Sequence, residues 1–167
     1  MINHLYTVGY ESAAIEDFIA ALKSQQIEKI IDVREIPLSR KKGFSKNTLQ
    51  ALLEANDIEY IHLKNLGDPK EGRDAARSGD FKKFLHIFSK HMKTKQAQSD
   101  LKIATEHTKS NISCLLCYER KPEECHRKIV ADAIAKDTGH KITHIGIPDG
   151  FAKKKKFKPI YPEFMYA

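Results

Sequence analysis

The feature that most constrains this chain is residues 112–118, ISCLLCY, its most apolar run. Only Ser113 interrupts it, and it lacks the alternation of a half-wet strand. A short run of this kind reads as a strand buried on both faces, which is how strands sit in parallel sheets. Residues 28–33 (EKIIDV) have the same character, and shorter apolar segments lie at 5–8, 58–63 and 141–147. Between them lie stretches with helical spacing. Ile15, Phe18, Ile19 and Leu22 follow Ser12, which is placed to cap that helix. Leu49, Leu52 and Leu53 follow Ser45, a second candidate cap. Phe81, Phe84, Leu85 and Phe88 mark a third helix, and a more polar one is expected over about 96–108. A last helix is expected to open at Pro122, run to Asp137 and end at Gly139. Strands alternating with helices imply an α/β fold, a three-layer Rossmann-like sandwich with a mostly parallel sheet of about five strands. The charged stretch 64–80, with Gly67, Pro69, Gly72 and Gly79, reads as a long irregular connection.

Composition narrows the class. At 167 residues the chain can bury a full core as one domain. No apolar run approaches the ~20 residues of a membrane span. The start, MINHLYTVGY, lacks signal-peptide layout, and three cysteines do not suit a disulfide framework. A cytoplasmic protein with no membrane partner is expected. The formal charge of +7 is local: without the five lysines of residues 153–158 (KKKKFK), 24 basic residues face 22 acidic ones. The domain is expected over 1–148, with a basic, aromatic tail over 149–167. In that tail lysines alternate with aromatics, a composition suited to phosphate contact and base stacking, or to aromatics docked on the domain.

In parallel α/β sheets ligands bind beyond the carboxyl ends of the strands. The reactive residues cluster there: Gly9-Tyr10-Glu11; Arg34, Ser39 and Arg40; His62; and Cys117-Tyr118-Glu119-Arg120 leading to Cys125-His126-Arg127. Cys125 lies close to a helix N-terminus, where thiol pKa values fall, and adjacent arginines strengthen the effect. The candidate catalytic set is therefore Cys125, His126, Cys117 and His62, a thiolate nucleophile with an imidazole acid/base. Tyr10, Arg34, Arg40, Tyr118, Glu119 and Arg127 form the candidate substrate- or anion-binding set, because arginine forks suit phosphate and carboxylate. Structural readings stand beside these: Cys125 packing in the core, and Arg34 paired with Asp32, Glu35 or Glu119.

No metal or other cofactor is expected. Cys114 and Cys117 have C-x-x-C spacing but lie on a strand, where residues three apart face opposite sides. A phosphatase loop is disfavoured, because YERKPEECHR after Cys117 has no glycine and Pro122 lacks an amide. Asp32-Val33-Arg34-Glu35 is similar to a rhodanese strand, but the same glycine-free loop disfavours a standard persulfide cradle. Rhodanese-like sulfur transfer is thus a minor alternative.

The ordered set Thr7-Val8-Gly9-Tyr10, Asp32-Val33-Arg34 with Pro37, Ser39-Arg40 and Gly43-Phe44, Tyr60-Ile61-His62 with Leu66-Gly67, and Cys117-Tyr118-Glu119 leading to Cys125-His126-Arg127 resembles the bacterial and archaeal family called domain of unknown function 488. The resemblance covers roughly residues 4–147. It implies a compact α/β domain with a shared polar cluster and brings no established reaction. The residues point to an enzyme, a hydrolase or transferase with a cysteine nucleophile, acting on a phosphate-bearing substrate such as a nucleotide or nucleic acid. The alternative is a non-catalytic nucleic-acid-binding module that uses the same arginines and the tail. The partner expected is thus an anionic small molecule or nucleic acid, and the oligomeric state is left open.

Overall fold

The apolar runs form five strands, in a computed structural model that describes residues 1–166. They are β1 (His4–Gly9), β2 (Lys29–Asp32), β3 (Glu59–His62), β4 (Ser113–Cys117) and β5 (Lys141–Ile145). All pairings are parallel, in the order β3-β2-β4-β1-β5. The ISCLLCY strand is central and buried at every position, as its unbroken apolar character requires. The edge strands β3 and β5 are the more polar ones and are half exposed.

Side-chain alternation divides the core in two. Val8, Ile30, Cys114 and Leu116 face helices α1 (Ile15–Ser24) and α2 (Lys46–Ala55). Leu5, Ile31, Leu115 and Cys117 face the other layer: α3 (Lys70–Arg77), α4 (Phe81–Met92), α5 (Lys95–Ser110) and α6 (His126–Thr138). Cys114 and Cys117 thus lie on opposite faces, as strand geometry demands. Among the described residues, no helix is long and apolar enough to cross a membrane.

Three local expectations change. Ser12 does not cap α1: it takes a positive φ of 64° in the turn after β1, and Ala14 is the N-cap. Ser45 is the N-cap residue of α2, but its hydroxyl donates to the Ser39 carbonyl and accepts from the Ser39 amide, pinning the preceding loop. The stretch 64–80 is not irregular. It holds a 3-10 turn at Lys64–Leu66 and the helix α3 entered through Pro69, whose fixed φ suits a helix start.

The last segment packs onto the sandwich. Helix α7 (Phe151–Lys154) is tied at its start by Asp17, which accepts from the amides of Gly150 and Ala152 at 2.9 and 2.8 Å. Asn56 brackets Ile160 through both its backbone groups, and the Tyr161 hydroxyl donates to Glu16. Phe157, Tyr161 and Met165 join the α1–α2 core, leaving the lysines of 153–158 on the surface.

The chain leaves β1 for α1 on one face and leaves the neighbouring β4 for α6 on the other. That divergence opens a crevice at the carboxyl ends of β1 and β4, where sheets of this type bind ligands.

Candidate functional site

The crevice leads into a cavity of about 700 Å³. Its floor is the end of β4 and the start of α6. Pro122–Glu124 form a 3-10 turn rather than the first turn of α6, so Cys125 becomes the N-cap of that helix instead of an interior residue. Its sulfur accepts the Arg127 amide at 3.4 Å, the bond a capping side chain makes. Helix N-termini favour negative charge, which suits a thiolate here.

His126, the first residue of α6, is buried beside Phe88, their ring centroids 5.2 Å apart. Its Nε2–H donates to the Val33 carbonyl at 2.7 Å, at the end of β2. That bond fixes the ring, whose Nδ1 lies 3.9 Å from Cys125 Sγ, while Cys117 Sγ lies 3.7 Å from Nδ1 and 3.8 Å from Nε2. Glu119 closes the group, its Oε2 3.4 Å from Cys117 Sγ.

The charge balance follows from this arrangement. Burial alone would raise the Cys125 pKa, but a hydrogen bond from Cys117 and the His126 charge hold it well below the usual thiol value. Burial pushes Cys117 well up, and the neighbouring Cys125 and Glu119 charges add to the rise. Burial would lower His126, yet the Cys125 thiolate raises it to about 9. The pair therefore holds one negative charge, resting on Cys125, opposite an imidazolium. Burial, with the Cys125 charge nearby, raises Glu119 to about 7.

Seven of the ten sequence candidates line the cavity: Tyr10, Arg34, Arg40, Cys117, Tyr118, Glu119 and His126. Cys125 lies behind Cys117, 2% exposed and outside the lining. The structure puts two others to different use. His62 bonds the Arg34 carbonyl through Nε2 at 2.7 Å, outside the cavity lining. Arg127, fully buried, donates to Thr7 Oγ1 and to the carbonyls of Glu119 and Arg120, so it holds the 118–120 loop rather than a bound anion. Arg34 also differs from the free fork expected. It grips Asp32 through Nε and Nη2 at 2.9 and 2.8 Å, and its Nη1 donates to Tyr10 and to the Phe44 carbonyl. The structural alternative named for Arg34, pairing with Asp32, is the arrangement found. In the basic tail the docked alternative is found for Phe151, Phe157 and Tyr161, which pack against the α1–α2 core, while Phe164 is exposed.

Sequence reasoning missed the α3 wall: Asp68, Lys70, Arg73 and Arg77, with Phe81 beyond it. The dipeptide Asp68-Pro69 ahead of charged helix formers was the available signal. Arg73 pairs with Glu35 at 3.0 Å and Lys70 with Asp74 at 2.9 Å. Arg40 and Arg77 are the lining cations with no ion pair or hydrogen bond among the described residues. Ile36, Leu38, Phe81 and Tyr118 form an exposed apolar rim, at 52, 71, 41 and 47% exposure. Cys117, Cys125 and His126 are also the described residues that could hold a soft metal ion, their donor atoms within 4.8 Å of one another.

No curated protein and no solved structure gives a significant match. A family model does match, over residues 14–134, well over half of the chain and including the sulfur pair, His126, Asp68 and the Asp32–Arg34 pair. By that match the chain belongs to the family described as Domain of unknown function DUF488.

Proposed function

We propose that the protein is an enzyme that uses the Cys117–Cys125 sulfur pair as its nucleophile on an anionic substrate, a transferase or hydrolase acting on a phosphate-bearing compound. The observation that carries this reading is His126, locked by Val33 with its ring within 4 Å of both sulfurs at the floor of the cavity. Cys117 is the sulfur that meets the cavity, and Cys125 is the one that carries the charge. As Cys117 bonds to an electrophilic centre, its proton passes to the Glu119 carboxylate, whose Oε2 accepts its hydrogen bond at 3.4 Å. The His126 imidazolium is placed to give a proton to the leaving group. Arg40 and Arg77 hold the anion, and the rim of Leu38, Phe81 and Tyr118 covers an apolar or flat group such as a base. The nucleic-acid-binding alternative rests on the surface lysines of residues 153–158, because the aromatics beside them are docked.

The test is iodoacetamide alkylation of each cysteine against pH, resolved by peptide mass spectrometry. The sulfur pair should react with a midpoint below the ~8.5 of a free thiol. Cys114, whose pKa burial raises strongly, should stay inert. Phosphate or nucleotides should protect the pair. Three inert cysteines would end the nucleophile reading, and stoichiometric zinc binding that silences both sulfurs would reassign the centre to a metal.

A further inference from the structure

Asp68 is the group at the cavity whose bonding is incomplete. It precedes α3, is 5% exposed, and lines the same cavity as Cys117 and His126. Neither carboxylate oxygen accepts a hydrogen bond among the described residues, and Oδ1 is fully enclosed. Only its main-chain carbonyl is used, taking Arg73 Nη1 at 2.7 Å. The position is built for this side chain: a Cβ on residue 72 would lie 2.0 Å from Oδ1, so Gly72 is what admits the carboxyl. Buried carboxylates ordinarily collect two or more donors; Oδ1 is sealed against Gly72, so what a bound ligand would recover is the bond that Oδ2 lacks. The charged groups around it are His126, Arg73, Cys125 and Glu35. Arg73 is committed to Glu35 through Nη1, and His126 to Val33 and the sulfurs. The spare donors nearby, Arg73 Nε and Nη2 and the unpaired Arg40 and Arg77, are not placed on the Asp68 carboxylate among the described residues.

We infer that the Asp68 carboxyl is the specificity group of this centre, accepting a hydrogen bond from an N–H or O–H donor on the substrate next to the atom that the sulfur pair attacks. The cavity then takes dipolar substrates, anionic toward Arg40 and Arg77 and donor-bearing toward Asp68. An amino-bearing nucleotide base or a compound with a protonated amine has the required chemistry, whereas a bare anion is repelled from the floor. The inference rests on the sulfur pair being the reactive centre.

Three alkylating probes test it: 2-bromoethylamine, a cation with N–H donors; iodoacetamide, neutral with N–H donors; and iodoacetate, an anion with none. Each forms a thioether on the thiolate and releases halide. Rates at the sulfur pair are measured in the wild type and in Asp68→Asn, and normalised to glutathione at the same pH. In the wild type the two donor-bearing probes should lead iodoacetate. Asp68→Asn should reduce that lead by about tenfold, the scale of one charge-assisted hydrogen bond, chiefly by speeding iodoacetate. Asp68→Ala makes the same prediction if the Asn variant does not fold. Unchanged probe ratios, or an equal loss for all three probes, would overturn the inference and leave the nucleophile reading standing. A sulfur pair inert to all three in the wild type would refute that reading and this inference with it.

Discussion

The Asp32–Arg34 pair decides whether Arg34 is part of the scaffold or of the anion site. Asp32 is fully buried at the end of β2 and accepts four hydrogen bonds. Three come from Arg34, through its amide, Nε and Nη2, and the fourth from the Tyr60 hydroxyl at 2.5 Å. Burial alone would lower the Arg34 pKa, but the Asp32 bonds and charge raise it further, so the guanidinium stays charged at any working pH. Asp32→Ala therefore leaves a buried cation without its counterion and the Tyr60 hydroxyl without its acceptor. Breaking a buried pair from one side costs about 3–5 kcal/mol, against roughly 5–15 kcal/mol for a whole domain. For a chain of this length that lowers Tm by roughly 10 °C. Replacing both partners, in Asp32→Leu with Arg34→Met, should recover much of the loss, because the desolvated charge disappears along with its partner. Urea unfolding followed by far-ultraviolet circular dichroism, across the wild type, both single variants and the double, gives the cycle. An Asp32→Ala cost below about 1 kcal/mol, or a double variant no more stable than Asp32→Ala, would refute the reasoning. An Asp32→Ala loss restored by phosphate would show Arg34 available to an anion after all.

The two raised carboxyls predict an unusual slope of stability with pH. Asp68 and Glu119 titrate near 6 and 7 in the folded chain, above their ordinary values of 3.8 and 4.5. The folded state thus binds more protons across that interval, and stability should fall as pH rises from about 4 to about 7. His126 and Cys125 offset one another: His126, raised to about 9, gains on folding the proton that Cys125, held well below the ordinary thiol value, gives up, so the pair adds no slope above about 6.5 and Cys125 opposes the carboxyl trend below it. Urea midpoints between pH 4 and 9 measure this, and Asp68→Asn and Glu119→Gln should flatten the acid part; an unaltered slope in both variants would contradict the assignment. Gly9→Ala should cost about 2 kcal/mol or more, because its Cβ would lie 1.8 Å from the Glu119 carbonyl, backbone that Arg127 holds in place. The displaced loop should also carry Glu119 away from Cys117 and shift the alkylation profile. Gly146→Ala, which meets nothing within 4 Å, is the control and should stay within about 0.5 kcal/mol of the wild type.

How much was legible in the sequence depends on the range of the interaction. Residues 112–118 revealed a central parallel strand because burial on both faces leaves an unbroken apolar record. The carboxyl-end rule then located the crevice, and the opposite faces of Cys114 and Cys117 followed from strand periodicity alone. Helix α3 was hidden because its eight residues are mostly charged, with buried positions occupied only by Gly72 and Ala75, so almost no apolar period remained to read. With it went Asp68, whose importance lies in the absence of a donor, a property of the folded neighbourhood and not of any local pattern.

The sequence by itself determined the strand–helix alternation, the parallel sheet and the gathering of reactive residues at one edge. These follow from hydrophobic periodicity and chain connectivity. Only the tertiary structure decided which of those residues are free to act. Arg34 and Arg127 carry the same fork as Arg40, yet their donors are taken by Asp32 and by the backbone of the 118–120 loop. Cys125 became a helix N-cap only because the chain turns through a 3-10 step at Pro122–Glu124. Hydrogen-bond partners far apart along the chain are assigned by packing, and that assignment separates scaffold from site.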